Sequence, residues 1–211
     1  MRRGERSRPW SVHDSMELRE RKLLDWAYQN GEFTPEFKKW FGKSVLKDKT
    51  GKPLIFYHGT SSDFTNFEES KMSEMGFHFG SAPAAGERSY QENGRIYPVV
   101  ISMKKPLRLM DTGGSEHSKS FSLGRIQGMI DSELSYQLCK KSDLECQRKI
   151  GDEVYQQKTE ADMRSYLRLK GYDGIIYSNK YEDFIGGYDS VIIFDMSQVR
   201  SAIGGMPLTG N

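Results

Sequence analysis

Cysteine is nearly absent from this chain, with two residues in 211, and so is any excess of charge, with 31 Lys and Arg against 29 Asp and Glu. Cys139 and Cys146 lie seven apart in a charged segment of helical character. In a straight helix they would share a face but stand about 10 Å apart along the axis at 1.5 Å per residue, beyond the reach of a disulfide. With no cluster of other ligands beside them, a structural zinc site is also excluded, so a reduced protein is expected. A formal net charge of +2 supplies no global field to recruit nucleic acid or anionic lipid, and partners must be argued from sites. No apolar run approaches the roughly 20 residues of a membrane span, and polar residues follow Met1-Arg2-Arg3-Gly4-Glu5 where a signal peptide would carry an apolar core. A cytoplasmic location, away from membranes, is the expectation. Also missing are a Gly-x-Gly-x-x-Gly after a strand, a Gly-Lys-Ser/Thr that ends a glycine loop, a Gly-x-Ser-x-Gly elbow and a His-Glu-x-x-His zinc helix, so the enzyme classes built on them fall away.

What is present centres on Gly51-Lys52-Pro53-Leu54-Ile55-Phe56-Tyr57-His58-Gly59-Thr60. Leu54 to Tyr57 is an unbroken apolar and aromatic run between turn residues, which predicts a strand buried on both faces. His58 then falls where the strand leaves the core, and Gly59 would let a ligand come against the main chain. A second strand, Gly76-Phe77-His78-Phe79-Gly80, alternates Phe77 and Phe79 on one face with His78 on the other. Ser81-Ala82-Pro83 predicts a helix start directly after it. Ile96 to Met103 reads as a third strand, with Pro98 marking an edge or bulge, and Pro106 to Met110 as a short extension.

In the order of the chain, residues 1–13 read as a basic flexible tail and 14–45 as a helical flap. The flap comprises a helix from Asp14 or Ser15 to Asn30-Gly31 and a short one from Thr34-Pro35 to Gly42. Phe37, Trp40 and Phe41 fall on one face of the short helix, a pattern of core packing. Residues 46–205 form the main domain and 206–211 a tail. From Leu123 to Lys170 the sequence is charged and helix-favouring, with breaks expected at Gly124, Gly128 and Gly151, and the last piece ends at Gly171. Two strands close the chain, Gly174 to Tyr177 and Ser190 to Asp195. The segment between them carries the acids Glu182, Asp183 and Asp189.

Taken together, Phe37 to Ser44, Gly51-Lys52-Pro53 running into Tyr57-His58-Gly59-Thr60, Phe64 and Phe67, Gly76 to Gly80, Gly171 to Asn179, and Phe194-Asp195 with Gln198 to Ala202 resemble, in this order, the ADP-ribosyltransferase domains of phage and mobile-element polyvalent proteins. The resemblance covers the chain from Phe33 to Ala202. It implies an α+β fold of the diphtheria-toxin and poly(ADP-ribose) polymerase class, with a split, mainly antiparallel sheet pair clasping NAD among helices. It also implies an effector-like transferase that cleaves NAD and moves ADP-ribose to a macromolecule, a host protein rather than a nucleic acid. By the same resemblance, His58 would bond an adenosine-ribose hydroxyl and Gly59 would offer its backbone to the nicotinamide amide, with Tyr57 and Thr60 beside them. Phe77, His78 and Phe79 hold the place of the second motif, where a tyrosine commonly stacks on nicotinamide and this chain has His78. Tyr90 would form the second stacking wall. Charge that develops on the ribose calls for a carboxylate. Glu182 is the first candidate and Asp189 the next, while the register of the last strand puts Ser190 where polymerase-like relatives begin it with glutamate. A degenerate module that binds without chemistry, and an NAD-dependent RNA 2'-phosphotransferase, are the competing readings. The second would need an arginine cluster that the motif regions lack.

Overall fold

The computed structural model describes residues 34–60, 72, 75–89, 94–109, 123–178 and 189–202. The tail, the expected helix from Asp14 to Gly31, Tyr90 and Glu182 lie outside the described residues. Among the described residues five α-helices and seven strands follow in order, with a single 3-10 turn at Met196–Gln198: α1 (Pro35–Phe41), β1 (Ile55–Thr60), β2 (Phe77–Phe79), α2 (Ala82–Arg88), β3 (Arg95–Ile101), β4 (Leu107–Leu109), α3 (Leu123–Leu138), α4 (Leu144–Tyr155), α5 (Glu160–Leu169), β5 (Gly174–Ser178), β6 (Asp189–Ile193) and β7 (Val199–Ser201). Among the described residues no helix is long and apolar enough to cross a membrane.

The strands form two sheets, ordered β1-β3-β7 and β2-β6-β5-β4. All pairings are antiparallel except β4 with β5, and that parallel pair is joined through α3, α4 and α5, the long crossover a parallel connection requires. Strand alternation builds two cores. Phe56, Phe77, Phe79, Val99, Ile101, Val191 and Ile193 fill the space between the sheets. On the other face of the four-stranded sheet, Leu107, Leu109, Ile175, Tyr177 and Ile192 pack under Ile126, Ile130, Val154, Met163 and Leu167 of the three helices. The split, mainly antiparallel α+β architecture is the one the resemblance implied.

Pro98 sits inside β3 without breaking it. Tyr57, its partner across the sheet, gives both its N–H and its C=O to Gly80, so Tyr57 and Pro98 face each other as a pair that needs no hydrogen bond. On its other side Pro98 lies past Ser201, the end of β7, where only its carbonyl is engaged, by Ala202 N–H. Helix α1 begins as expected, with the Thr34 hydroxyl accepting from Phe37 N–H and proline in the first turn. Phe37 and Phe41 are buried against Val100 and Ala202. Trp40 is half-buried: its Nε1 donates to the Ser197 carbonyl at 2.7 Å, and the Arg200 guanidinium lies 4.6 Å from its ring centre.

Two expectations fail in the helical region, for one reason. Gly124 and Gly128 lie within α3 and Gly151 within α4, and none of them breaks a helix. A glycine costs a helix only about 1 kcal/mol. A Cβ at any of the three would meet nothing closer than the 3.4 Å to the Asp131 carboxylate found at Gly151, an ordinary contact, so all three sit in the helices without strain. The break falls instead at residues 139–143, where the chain turns and α4 runs back along α3, bringing the Gln127 amide to the carbonyls of Val154 and Gln157. The turn sets the Cα atoms of Cys139 and Cys146 5.7 Å apart, and the two are joined in a disulfide. The straight-helix argument against the bond, and the expectation of a reduced protein, are thereby corrected. Closing so short a loop stabilises by at most about 2.5 kcal/mol on the chain-entropy account. Reductant should therefore lower the melting temperature of the parent protein and leave that of Cys146→Ser where it is.

Candidate active site

The sheets touch through one isolated bridge among the described residues, Tyr57 with Gly80, closed by backbone bonds of 2.9 and 3.0 Å. In an antiparallel ladder the next bonded pair would be Gly59 with His78, two residues on along each strand. That pair does not form. The His78 carbonyl lies 2.9 Å from the His58 Nδ1 instead, and the sheets part at this point. A carbonyl can only accept, so Nδ1 carries the proton and Nε2 of a neutral His58 is an acceptor. Gly59 has the same strand parity as Tyr57, so its N–H and C=O point toward the split rather than toward β3.

At the parting lies a narrow cleft lined by Tyr57, Gly59, His78, Phe79, Gly80, Ala84, Ala85, Arg88, Tyr177 and Ser190. Helix α2 forms one wall, started by the Ser81 hydroxyl accepting from Ala84 N–H. Tyr57 is buried against Ala82 and Ala85 of that helix. At Gly59 α2 lies close against β1: a Cβ there would lie 1.8 Å from the Ala85 carbonyl oxygen. The space left by its missing side chain is thus filled by α2. This corrects the expectation that the absent side chain makes room for a ligand, and what Gly59 turns to the cleft is its backbone.

His58 does not stand at the strand's exit, as the sequence led us to expect, but inside β1, opposite Tyr97. Its ring points into the inter-sheet core, with its centre 5.9 Å from that of Phe77 and 5.4 Å from that of Phe79. His78 faces the other way, into the cleft, with its ring edge-on to Tyr177. The two histidines therefore meet through the backbone of His78 and not through their rings. Thr60 ends β1, opposite Arg95.

Burial pushes the pKa of the His58 imidazole below its ordinary value; the bond to the His78 carbonyl opposes this, and the charges of Arg88 and His78 add to the lowering. A folded-state pKa below the unfolded one means stability that is complete above about pH 6.5 and is lost as pH falls through the lower, folded value. His58→Asn, whose amide can still donate to the His78 carbonyl, removes the titration. The stability gap between parent and variant, measured by urea unfolding, should narrow from pH 7 to pH 5.

The candidate acids separate. Asp189 opens β6 but is held by the Arg108 guanidinium in a two-armed pair at 3.1 and 2.6 Å, with both side chains more than a third exposed. Ser190, 3% exposed, lines the cleft, its hydroxyl 2.9 Å from where a Cβ on Gly80 would stand. No carboxylate lines the cleft among the described residues. Sequence reasoning did not single out Arg88 or Tyr177. Arg88 carried no signal beyond its place in the last turn of α2, whereas alternation along Gly174 to Ser178 could have put Tyr177 on the same face as Ile175.

Comparison with curated proteins found no match, and comparison with solved structures found none. A family model, described as ADP-ribosyltransferase in polyvalent proteins, matches residues 48–208, which takes in both sheets and every wall of the cleft. With its sheets parted between Gly59 and His78 and most of its length matched, the chain belongs to the family of ADP-ribosyltransferases in polyvalent proteins.

Proposed function

We propose that the protein is a mono-ADP-ribosyltransferase that cleaves NAD and transfers ADP-ribose to a macromolecular acceptor, a protein. The observation that carries this is the parting of the ladder, which leaves the N–H and C=O of Gly59 directed at a cleft walled by His78. A carboxamide presents one acceptor and one donor, the complement of that backbone pair. In this reading Tyr57, Phe79 and Gly59 form the bed for nicotinamide, and His78 and Tyr90 flank the ring. His58 keeps its role as acceptor of a ribose hydroxyl through Nε2 on the resemblance alone, since its ring lies beside Phe77 and Phe79 and outside the described lining of the cleft, with Thr60 and Phe77 supporting its strand and ring.

The bond between ribose C1' and the nicotinamide nitrogen breaks, its electron pair leaves with nicotinamide, and positive charge grows on the ribose. A nucleophile of the acceptor then bonds to C1' and gives up its proton. The carboxylate of Glu182 stabilises the growing charge, the role that matters most in such chemistry. The test is to incubate purified protein with NAD labelled on the adenine side, in the presence of a cell lysate. Free nicotinamide and labelled protein bands are the expected result.

A second reading, a module that binds without turnover, is favoured by Ser190, a buried hydroxyl at the register where the resemblance to the polymerase-like pattern would put glutamate. Saturable binding of NAD by calorimetry with no nicotinamide released would establish it. The RNA phosphotransferase reading gains no support, since Arg88 is the only arginine among the described lining residues.

A further inference from the structure

We propose that Tyr177 is a positioning residue that sets the tautomer and the plane of the His78 imidazole. The inference rests on the reading of His78 as the side chain that meets the nicotinamide ring. An imidazole has two chemically distinct nitrogens, and the bond made by one decides whether the other, here the buried Nε2, carries the proton. The Tyr177 hydroxyl lies 3.4 Å from His78 Nδ1, and the rings are edge-on, with centres 6.3 Å apart and planes at 69°. The contact spans the sheet: β6 lies between β2 and β5, with Ile192 beside His78 and Ser190 beside Tyr177. Tyr177 is buried and held by the helical core behind it, so its hydroxyl is a fixed point rather than a mobile one.

A phenol is the better donor of the two, so its O–H gives to Nδ1 and the ring proton sits on Nε2. The result is the opposite tautomer from that of His58, whose Nδ1 carries the proton toward the His78 carbonyl. The two histidines at the split thus differ in the nitrogen that donates. Tyr177 sets this on one side, and the backbone of β2 sets it on the other.

Tyr177→Phe keeps the ring and its packing and removes only the hydroxyl. The experiment records the ¹⁵N shifts of the His78 ring at pH 8.5, where an ordinary imidazole is neutral, with the signals assigned by their loss in His78→Ala. One tautomer, protonated on Nε2, is expected in the parent and a mixture of both in Tyr177→Phe, with NAD affinity reduced about 2- to 10-fold. An unchanged tautomer in Tyr177→Phe, or a parent ring protonated on Nδ1, overturns the proposal. If the tautomer shifts as expected but the parent protein does not bind NAD, the positioning role stands and the proposed function fails instead.

Discussion

Gly59→Val is expected to destabilise the whole domain before any question of ligand arises. The Cβ alone would meet the Ala85 carbonyl oxygen at 1.8 Å, so α2 would have to retreat by roughly 1.5 Å to restore ordinary contact. The obstacle is main chain and cannot rotate aside. The Ala85 carbonyl also accepts the Ser89 N–H that ends the helix, so moving it disturbs the cap as well. Overpacking commonly costs 1–3 kcal/mol with side chains that can adjust. Here the cost should exceed about 3 kcal/mol, a large part of a typical total of about 5–15 kcal/mol. For a chain of this size that is a fall in melting temperature of about 6 °C or more. Gly59→Ala should show most of the effect, because the clash begins at Cβ. A Gly59→Val protein that melts with the parent would mean that α2 does not lie against β1 as described.

Glu182→Gln should lower ADP-ribose transfer at least about 100-fold, a barrier change of roughly 2.7 kcal/mol, and leave NAD affinity within a few-fold. The reason is that charge on the ribose exists only on the way to products, so a carboxylate placed for it contributes to turnover and little to ground-state binding. Asp189→Asn is the internal comparison. Its partner Arg108 and its exposure place it in a rim ion pair, and such pairs contribute about 0–1 kcal/mol to stability. Transfer should change less than about two-fold. If Asp189→Asn abolishes transfer and Glu182→Gln does not, the acid belongs at the start of β6. If neither variant differs from a parent that leaves NAD intact, the binding module is the correct description.

Local chemistry alone determined the elements around the site. Phe77-His78-Phe79 alternates because a strand does, Ser81 and Pro83 start α2 because an open helix end needs an acceptor and proline needs no donor, and Thr34 does the same for α1. The same patterns, in their order along the chain, were enough to point to the family. Tertiary structure alone decided three things that local pattern could not carry. The turn after Leu138 brought Cys139 to Cys146, because what ends α3 is the packing of α4 back upon it and not the glycines within either helix. The role of Gly59 came from its neighbour Ala85, 26 residues on, since a missing side chain reads alike in sequence whether a ligand or a helix fills the space. And the sheets part where a side chain, His58, holds the carbonyl that a backbone N–H would claim in a continued ladder. Strand propensity is blind to that exchange: it records which residues suit a strand, and nothing in it says where two strands cease to pair.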